Sequence, residues 1–335
     1  MSSKKSSALE ASPCGAAAVA VGKAAMMNKA AVMSVPVRRI LTIHPNGVDN
    51  LIFTLPALRA LRESFPGARI GAVTPNSLQS LMRQSRDVDD ILPRRYRGIS
   101  SQTALWMKLR EQHFDMAICF STSRYATLMA FASGAAVRAG FNGARLGKLL
   151  THQVSKETAT GVDAFITLVQ SLGCRAADAN YRGLLDVSLE NLQAADKLLA
   201  ECGIGSTFAI VAPGKSTFSE LWNQALTGMA KMPVVIAGTN SAHGVRAKYD
   251  LSGKTELPVL AALCARATVC LGSDSGVLHL AACLGTPVVA IDDSAEGRLL
   301  PVRGVPNRLL HAAGTLQAEQ ILSAVDEVQY ESRRQ

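Results

Sequence analysis

The segment Ala267-Thr-Val-Cys-Leu-Gly-Ser-Asp-Ser-Gly-Val-Leu-His-Leu-Ala-Ala-Cys-Leu-Gly-Thr-Pro-Val-Val-Ala-Ile291 restricts the chain to few folds. Thr268–Leu271 and Pro287–Ile291 are short apolar runs bounded by Gly, Ser and Pro, the pattern of strands buried on both faces. A helix-length stretch joins them, and a strand–helix–strand crossover makes the two strands parallel. The turn Gly272–Gly276 opens directly into that helix. The first N–H groups of a helix lack intrahelical partners and carry partial positive charge, so such a turn suits a phosphate. Ser275 is placed to cap the helix, and His279 to lie about one turn inside it. In open α/β sheets, ligands bind at the carboxyl ends of strands, where this turn falls.

The same unit recurs along the chain. Arg39–Ile43 reads as a buried strand, His44–Gly47 as a turn, and Val48 to about Phe65 as a helix with Leu51, Leu55, Leu58 and Leu61 on one face. Strands follow over 68–74, 88–93 and 114–120, with helices over 77–86, 101–112 and 125–133. A second series has strands at 208–212, 233–237, 268–271 and 287–291, and helices at 219–230, 257–265 and 316–328. This alternation predicts an α/β protein with parallel, doubly wound sheets. Two Rossmann-like halves, 36–185 and 186–335, flank a helical connection near 160–203, and the ligand cleft is expected between them.

Composition limits the partners. The net charge of +9 favours acidic ones: nucleotide phosphates, an anionic glycolipid or a membrane surface. No nucleic-acid module is present, so nucleic acid is not expected. No apolar run reaches the roughly 20 residues of a membrane span. The seven cysteines show no metal-type pairing and suit a reducing cytoplasm. Residues 1–35 hold one acid, Glu10, and Lys23 and Lys29 interrupt their apolar part. That pattern reads as a disordered basic extension and not as a secretory signal, with a membrane-surface segment as the alternative.

Three stretches carry a family resemblance. The first is Ile40-Leu-Thr-Ile-His44 with Thr54-Leu-Pro-Ala-Leu-Arg-Ala-Leu-Arg-Glu-Ser-Phe-Pro-Gly-Ala-Arg-Ile70. The second is Val211-Ala-Pro-Gly-Lys-Ser-Thr217. The third runs from Gly253-Lys-Thr-Glu-Leu257 through Gly272–His279 to Gly285-Thr-Pro-Val-Val-Ala290. Together they resemble glycosyltransferase family 9, the ADP-heptose:lipopolysaccharide heptosyltransferases. The resemblance implies a GT-B architecture, a nucleotide-sugar donor in the C-terminal half and an acceptor in the N-terminal half. It also implies transfer with inversion and no metal or cofactor, the ADP-sugar being a co-substrate. A general base would deprotonate the acceptor hydroxyl, while a lysine, hydroxyls and helix N-termini steady the leaving diphosphate.

Carried over by position, the donor residues are Lys215, Ser216, Thr217, Thr255, Leu257, Ser273, Asp274, Ser275, Gly276 and His279. The catalytic position falls on Asp49 and Asn50. Here the chain departs from the family, which has Gly-Asp ahead of the Thr-Leu-Pro block. Asp49 stands at the glycine position and Asn50 at the acid's, and asparagine cannot act as a base. Asp49 serves only if the turn is rebuilt, because one residue rotates a helical side chain by about 100°. The Lys-x-Trp-Pro signature is absent, and Asp292-Asp-Ser-Ala-Glu-Gly297 replaces the usual loop after the last strand.

Each candidate also has a structural reading. Asp49 and Asn50 could simply cap the first helix, His279 could be a packed core residue, and Lys215 could be an exposed turn lysine. Asp292 and Asp293 stand as sugar-hydroxyl ligands or a solvated loop. Gly238 and Thr239 stand as further pocket lining. Arg124, Arg145, Lys148 and His152 stand as contacts for an acidic acceptor. The expected function is transfer of heptose or a related sugar from an ADP-sugar. The acceptor would be the lipopolysaccharide inner core or another glycan, metabolite or protein. The expected location is cytoplasmic, with peripheral attachment to the inner face of the membrane as an addition. A degenerate member that binds nucleotide-sugar without turnover, or serves as a scaffold, is the competing class. A dinucleotide oxidoreductase is disfavoured, since no Gly-x-Gly-x-x-Gly follows the first strand.

Overall fold

Twelve strands form two separate parallel sheets in the computed structural model. It describes residues 37–94, 99–155, 161–175, 178–214, 218–230, 232–238, 244–273, 275–292, 302–312 and 316–334. The first sheet contains β1 (Arg39–Ile43), β2 (Arg69–Pro75), β3 (Asp90–Arg94), β4 (Met116–Cys119), β5 (Val137–Phe141) and β6 (His152–Val154), in the order β3-β2-β1-β4-β5-β6. The second contains β7 (Ala209–Ala212), β8 (Val234–Ile236), β9 (Tyr249–Asp250), β10 (Val269–Gly272), β11 (Val288–Asp292) and β12 (Asn307–His311), in the order β9-β8-β7-β10-β11-β12. Third, second, first, fourth, fifth, sixth is therefore the order in both. The chain winds outward from β1 in one direction, then from β4 in the other, and repeats this at β7 and β10. Crevices open where the order reverses, between β1 and β4 and between β7 and β10. There Ile43 is in register with Cys119, and Gly272 with Ala212.

Alternation along each strand fills two layers per sheet, because successive side chains point to opposite faces. Helices α1 (Val48–Ser64) and α5 (Gly161–Ser171) cover the face of the first sheet that carries Ile40, Ile70 and Ile118. Helices α3 (Ile99–Glu111) and α4 (Arg124–Ala132) cover the opposite face, with Leu41, Ile43 and Ala117. On the second sheet, α8 (Leu257–Arg266) and α9 (Ser275–Cys283) pack over Ile210, Cys270 and Val288, and α6 (Leu189–Glu201) lies outside them against α8. The other face holds α7 (Ser219–Gly228), which contributes the buried Trp222, and α10 (Ala318–Ser332). The inner layers are continuous, because α1 packs directly on α9. One core thus joins the two sheets.

Several elements differ from the expectation. β5, β6, β9 and β12 were not foreseen. β6, β9 and β12 are edge strands, buried on fewer sides, so they tolerate sequences such as Asn-Arg-Leu-Leu-His that lack an apolar run. β5 carries Arg138 and Gly140 next to that edge. The helix expected at 77–86 shrinks to a 3-10 turn at Asn76–Leu78 and α2 (Gln79–Met82). Beyond Met82 the chain turns to deliver the buried Asp87 to Arg59, whose Nε donates to both carboxylate oxygens at 3.0 Å.

Cys119, Cys174, Cys264, Cys270 and Cys283 are buried thiols, and Cys202 is half-buried. Burial pushes the Cys119, Cys264 and Cys283 thiols up to about 12, the state of inert core residues. Cys14 and the extension 1–35 lie outside the described residues. Among those described, no helix is long and apolar enough to cross a membrane.

Candidate functional site

Both switch-point crevices are entered by a turn that starts a helix. After β1 the chain passes through His44-Pro-Asn-Gly47, and Gly47 is the N-cap of α1 at φ 95°. A left-handed φ favours glycine, and an added Cβ would lie 2.6 Å from Asp49 Oδ1. Asp49 and Asn50 are therefore first-turn residues of α1, and the capping role considered for them belongs to Gly47. Asn50 Nδ2 donates to Asp49 Oδ1 at 3.3 Å.

His44 holds this turn in place. It is fully buried at the end of β1. Its Nδ1 lies 3.0 Å from Thr54 Oγ1, which donates to the Leu51 carbonyl at 2.6 Å. Its Nε2 lies 3.0 Å from Thr42 Oγ1, which is also 3.2 Å from the Gly71 carbonyl oxygen. Burial lowers the imidazole from 6.5 to about 3, which keeps it neutral.

The second turn is pinned by backbone instead. A Cβ on Gly272 would meet the Ala212 carbonyl oxygen at 2.2 Å, so only glycine lets β10 end this close to β7. Ser273 N donates to that same carbonyl at 3.1 Å, and Ser273 Oγ donates to the Pro213 carbonyl at 2.5 Å. α9 starts at Ser275, with Gly276 next, so Ser275 is the first helical residue and not the cap. Asp274, Lys215, Ser216 and Thr217 lie outside the described residues, as do Thr239 and Asp293.

His279 sits one turn into α9, fully buried. Tyr181 accepts from the Arg303 backbone N–H at 3.0 Å and donates to His279 Nδ1 at 2.7 Å, which places the ring proton on Nε2. Burial lowers this imidazole to about 4 and raises the Tyr181 phenol. The ring meets Phe53 of α1 edge-on, with centroids 4.5 Å apart. His279 thus belongs to the contact between α1 and α9. Phe53 lies three residues beyond Asn50 and His279 four beyond Ser275. At 1.5 Å per residue, both helix starts open within roughly one turn of this contact.

The remaining candidates scatter more widely. Thr255 lies in the loop before α8, with a buried Oγ1 that has no hydrogen-bond partner among the described residues. Leu257, expected in that loop, is the first residue of α8. Gly238 follows β8. Asp292 ends β11 as a buried residue, 3.8 Å from His311 Nδ1, and is not part of a solvated loop. Arg124, Arg145 and Lys148 are exposed on the first sheet's side. His152 pairs with Thr151 Oγ1 at 2.8 Å. Among the described residues, no group of three or more His, Cys, Asp or Glu side chains could hold a metal ion.

Three features escaped the sequence reading. Arg94 ends β3 as a buried cation, 4.5 Å over the Tyr125 ring and 3.5 Å from Asn46 Oδ1 in the first turn. Its only signal was a charge closing a strand. Tyr181 carried none. Arg303 forms a bidentate pair with Asp163 of α5 at 2.7 and 3.2 Å and so ties the segment before β12 to the first sheet's layer.

Two Rossmann-like units of identical strand order, each presenting a turn and helix start to a shared crevice, define a GT-B-type glycosyltransferase. The model of glycosyltransferase family 9 (heptosyltransferase) matches residues 102–301, more than half of the chain, and the chain belongs to that family. It is 24% identical over 286 residues to lipopolysaccharide heptosyltransferase 2 of Salmonella typhimurium, covering 76% of this chain and 82% of that one. Its fold resembles the glycosyl transferase family 9 structure from Veillonella parvula, with a TM-score of 0.75 and 18% identity over 89% of this chain and 99% of that one. The E. coli ADP-heptose lps heptosyltransferase II is similar too, with a TM-score of 0.71 and 20% identity over 88% and 99%.

Proposed function

We propose that this glycosyltransferase moves heptose, or a related sugar, from an ADP-sugar to an acceptor hydroxyl with inversion and without a metal or cofactor. The observation that carries the reading is the convergence of the two helix starts at the Phe53–His279 contact. It sets a carboxylate-bearing turn beside a hydroxyl- and backbone-rich one. The donor's diphosphate belongs at the start of α9, with Ser273, Ser275 and Gly276. Asp274 and the loop Lys215–Thr217 complete this side. Lys215 supplies a compact positive charge to the leaving diphosphate. Thr255 and the start of α8 at Leu257 belong to the nucleoside side, where the unmatched Thr255 hydroxyl has a hydrogen bond to give.

Asp49 is the base, because it carries the carboxylate of the first turn and Asn50 holds it by a side-chain bond. It takes the acceptor's proton as the oxygen attacks the anomeric carbon, and the ADP leaves from the opposite face. Named relatives acting on lipopolysaccharide support the inner core as acceptor class. The cationic character of the chain suits such an acidic glycolipid. A cytoplasmic setting follows from the same reading.

Calorimetric titration with ADP and ADP-heptose, followed by turnover on a lipopolysaccharide core acceptor with and without chelator, tests it. Binding and chelator-insensitive turnover are expected. Binding without turnover on any acceptor identifies the degenerate class that Asn50 at the family's acid position suggests.

A further inference from the structure

The outer layer of the first sheet is formed by α3, α4 and the loop between β5 and β6, and it carries Arg124, Arg145 and Lys148. Six large apolar side chains among the described residues are conspicuously exposed: Met107, Phe131, Leu146, Leu189, Leu309 and Tyr330. The first three all lie on this layer. Met107 is 64% and Phe131 52% exposed, on the outward faces of α3 and α4. These helices turn Leu105, Leu109, Ala126 and Met129 to the sheet below. Leu146 stands in the loop at φ 65°, ψ 27°, a left-handed backbone that a leucine rarely adopts, with its side chain 43% exposed. The loop's 3-10 turn Gly147–Leu149 packs on α4, and α3 packs on α4, so the three side chains stand on adjoining elements of one layer.

The charge around them is mostly positive. Residues 99–155 carry Lys108, Arg110, Arg124, Arg138, Arg145 and Lys148 against only Glu111 and Asp115. Asp115 is occupied at the far end of β1, accepting from the backbone N–H of Arg38 and Arg39 at 2.8 and 2.9 Å. None of the six cations forms a salt bridge among the described residues. Arg138 lies across the Phe131 ring at 5.9 Å and bonds the Leu149 and Ala135 carbonyls, so it frames the apolar side chain. On the outer layer of the second sheet, α10 carries Glu319, Asp326, Glu327 and Glu331, of which Glu327 and Glu331 pair with Arg308.

Apolar side chains spaced among unpaired cations fit the boundary of an anionic bilayer, where apolar groups enter the acyl region and cations meet headgroup phosphates. A protein partner of ordinary composition gives less reason for so cationic a rim. We infer that the α3–α4 layer docks the enzyme on an anionic phospholipid surface, through Met107, Phe131 and Leu146 within a ring of Lys and Arg. This surface is separate from the sugar-transfer turns, and its test reads membrane binding. Failure of the transfer reading leaves it standing, and its own failure leaves the transfer reading standing.

The experiment is co-sedimentation of the full chain with vesicles of phosphatidylglycerol and phosphatidylethanolamine, beside vesicles of phosphatidylcholine alone. Wild type is expected to bind the anionic vesicles at least fivefold better, and less well as salt rises. The variant Met107→Ser/Phe131→Ser/Leu146→Asn should lose at least fivefold of that binding with an unchanged melting temperature. Its turnover on a water-soluble acceptor should match wild type. Lys108→Glu/Met107→Ser, confined to the exposed face of α3, should show a smaller loss in the same direction. Absence of wild-type binding overturns the inference. Undiminished binding by both variants also overturns it and moves attachment elsewhere, residues 1–35 included. So does a change of oligomeric state in the triple variant without a change in vesicle binding, which makes the face an interface between copies.

Discussion

The two turns at the centre of this enzyme use the same plan with different materials. Each ends a buried strand, starts a helix and leans on a buried neutral histidine. At the β1–α1 turn the geometry is held by side chains: Thr42 and Thr54 satisfy both nitrogens of His44, and Asn50 holds Asp49. At the β10–α9 turn it is held by main chain: Gly272 lets the Ala212 carbonyl approach, and Ser273 is clamped to Ala212 and Pro213. A turn that must grip an anion gains from rigid, outward-facing N–H groups. A turn that must present a base has to place one particular carboxylate, and side-chain bonds do that.

The largest effect that can break this comparison is acidification, which attacks both halves. His44 and His279 fold with values of about 3 and about 4, below the ordinary 6.5. The unfolded chain therefore binds protons that the folded one excludes. The stability from these rings is complete above pH 6.5 and falls as the pH drops through the window toward 4. Together the loss is on the order of several kcal/mol. Urea unfolding at pH 7.5 and at pH 5 checks it, and His44→Gln and His279→Gln should each flatten the dependence. Equal stability at both pH values in wild type would sink the assignment of neutral rings.

Next in size is Asp49→Ala. It should lower kcat by about 10²- to 10⁴-fold while leaving ADP-sugar affinity unchanged, which separates the chemical turn from the binding turn. Retained kcat removes Asp49 as the base. Gly272→Ala should act in the opposite way, costing about 3 kcal/mol of stability or abolishing donor binding, because a backbone oxygen cannot step aside. Gly47→Ala is milder, about 1–2 kcal/mol in a melt: its strain is a left-handed φ and the obstacle is a movable carboxylate. Equal costs for the two glycines would erase the contrast between main-chain and side-chain construction. Smallest is Tyr181→Phe, at about 1 kcal/mol, by loss of the hydrogen bonds to His279 and Arg303. It should raise KM for the donor more than it lowers kcat, since it loosens α9 and not the base.

How far the chain could be read without coordinates depended on burial. The inner strands and the helices at 48–64, 219–228 and 257–266 were legible because residues buried on several sides must be apolar with a regular period. The edge strands β6, β9 and β12 were not, because half-exposed positions accept almost any residue. At the site, the turn Gly272–Gly276 was visible as a helix start, but its close contact with Ala212 was not. That Gly47 takes the N-cap, with Asp49 and Asn50 inside the first helical turn, became visible only in the structure.

By itself the sequence determined the α/β class, the doubling of the unit and the family, because local periodicity and turn chemistry are written in neighbouring residues. The tertiary structure alone decided which groups share a site. Tyr181 reaches His279 across 98 positions, Arg303 reaches Asp163 across 140, and Phe53 meets His279 from the other half of the chain. Such contacts depend on how helices pack against one another, and packing complementarity leaves no periodic trace along a single chain. For the same reason Met107, Phe131 and Leu146 looked like ordinary hydrophobics in the sequence, and only the folded chain turned them out toward solvent on one cationic face.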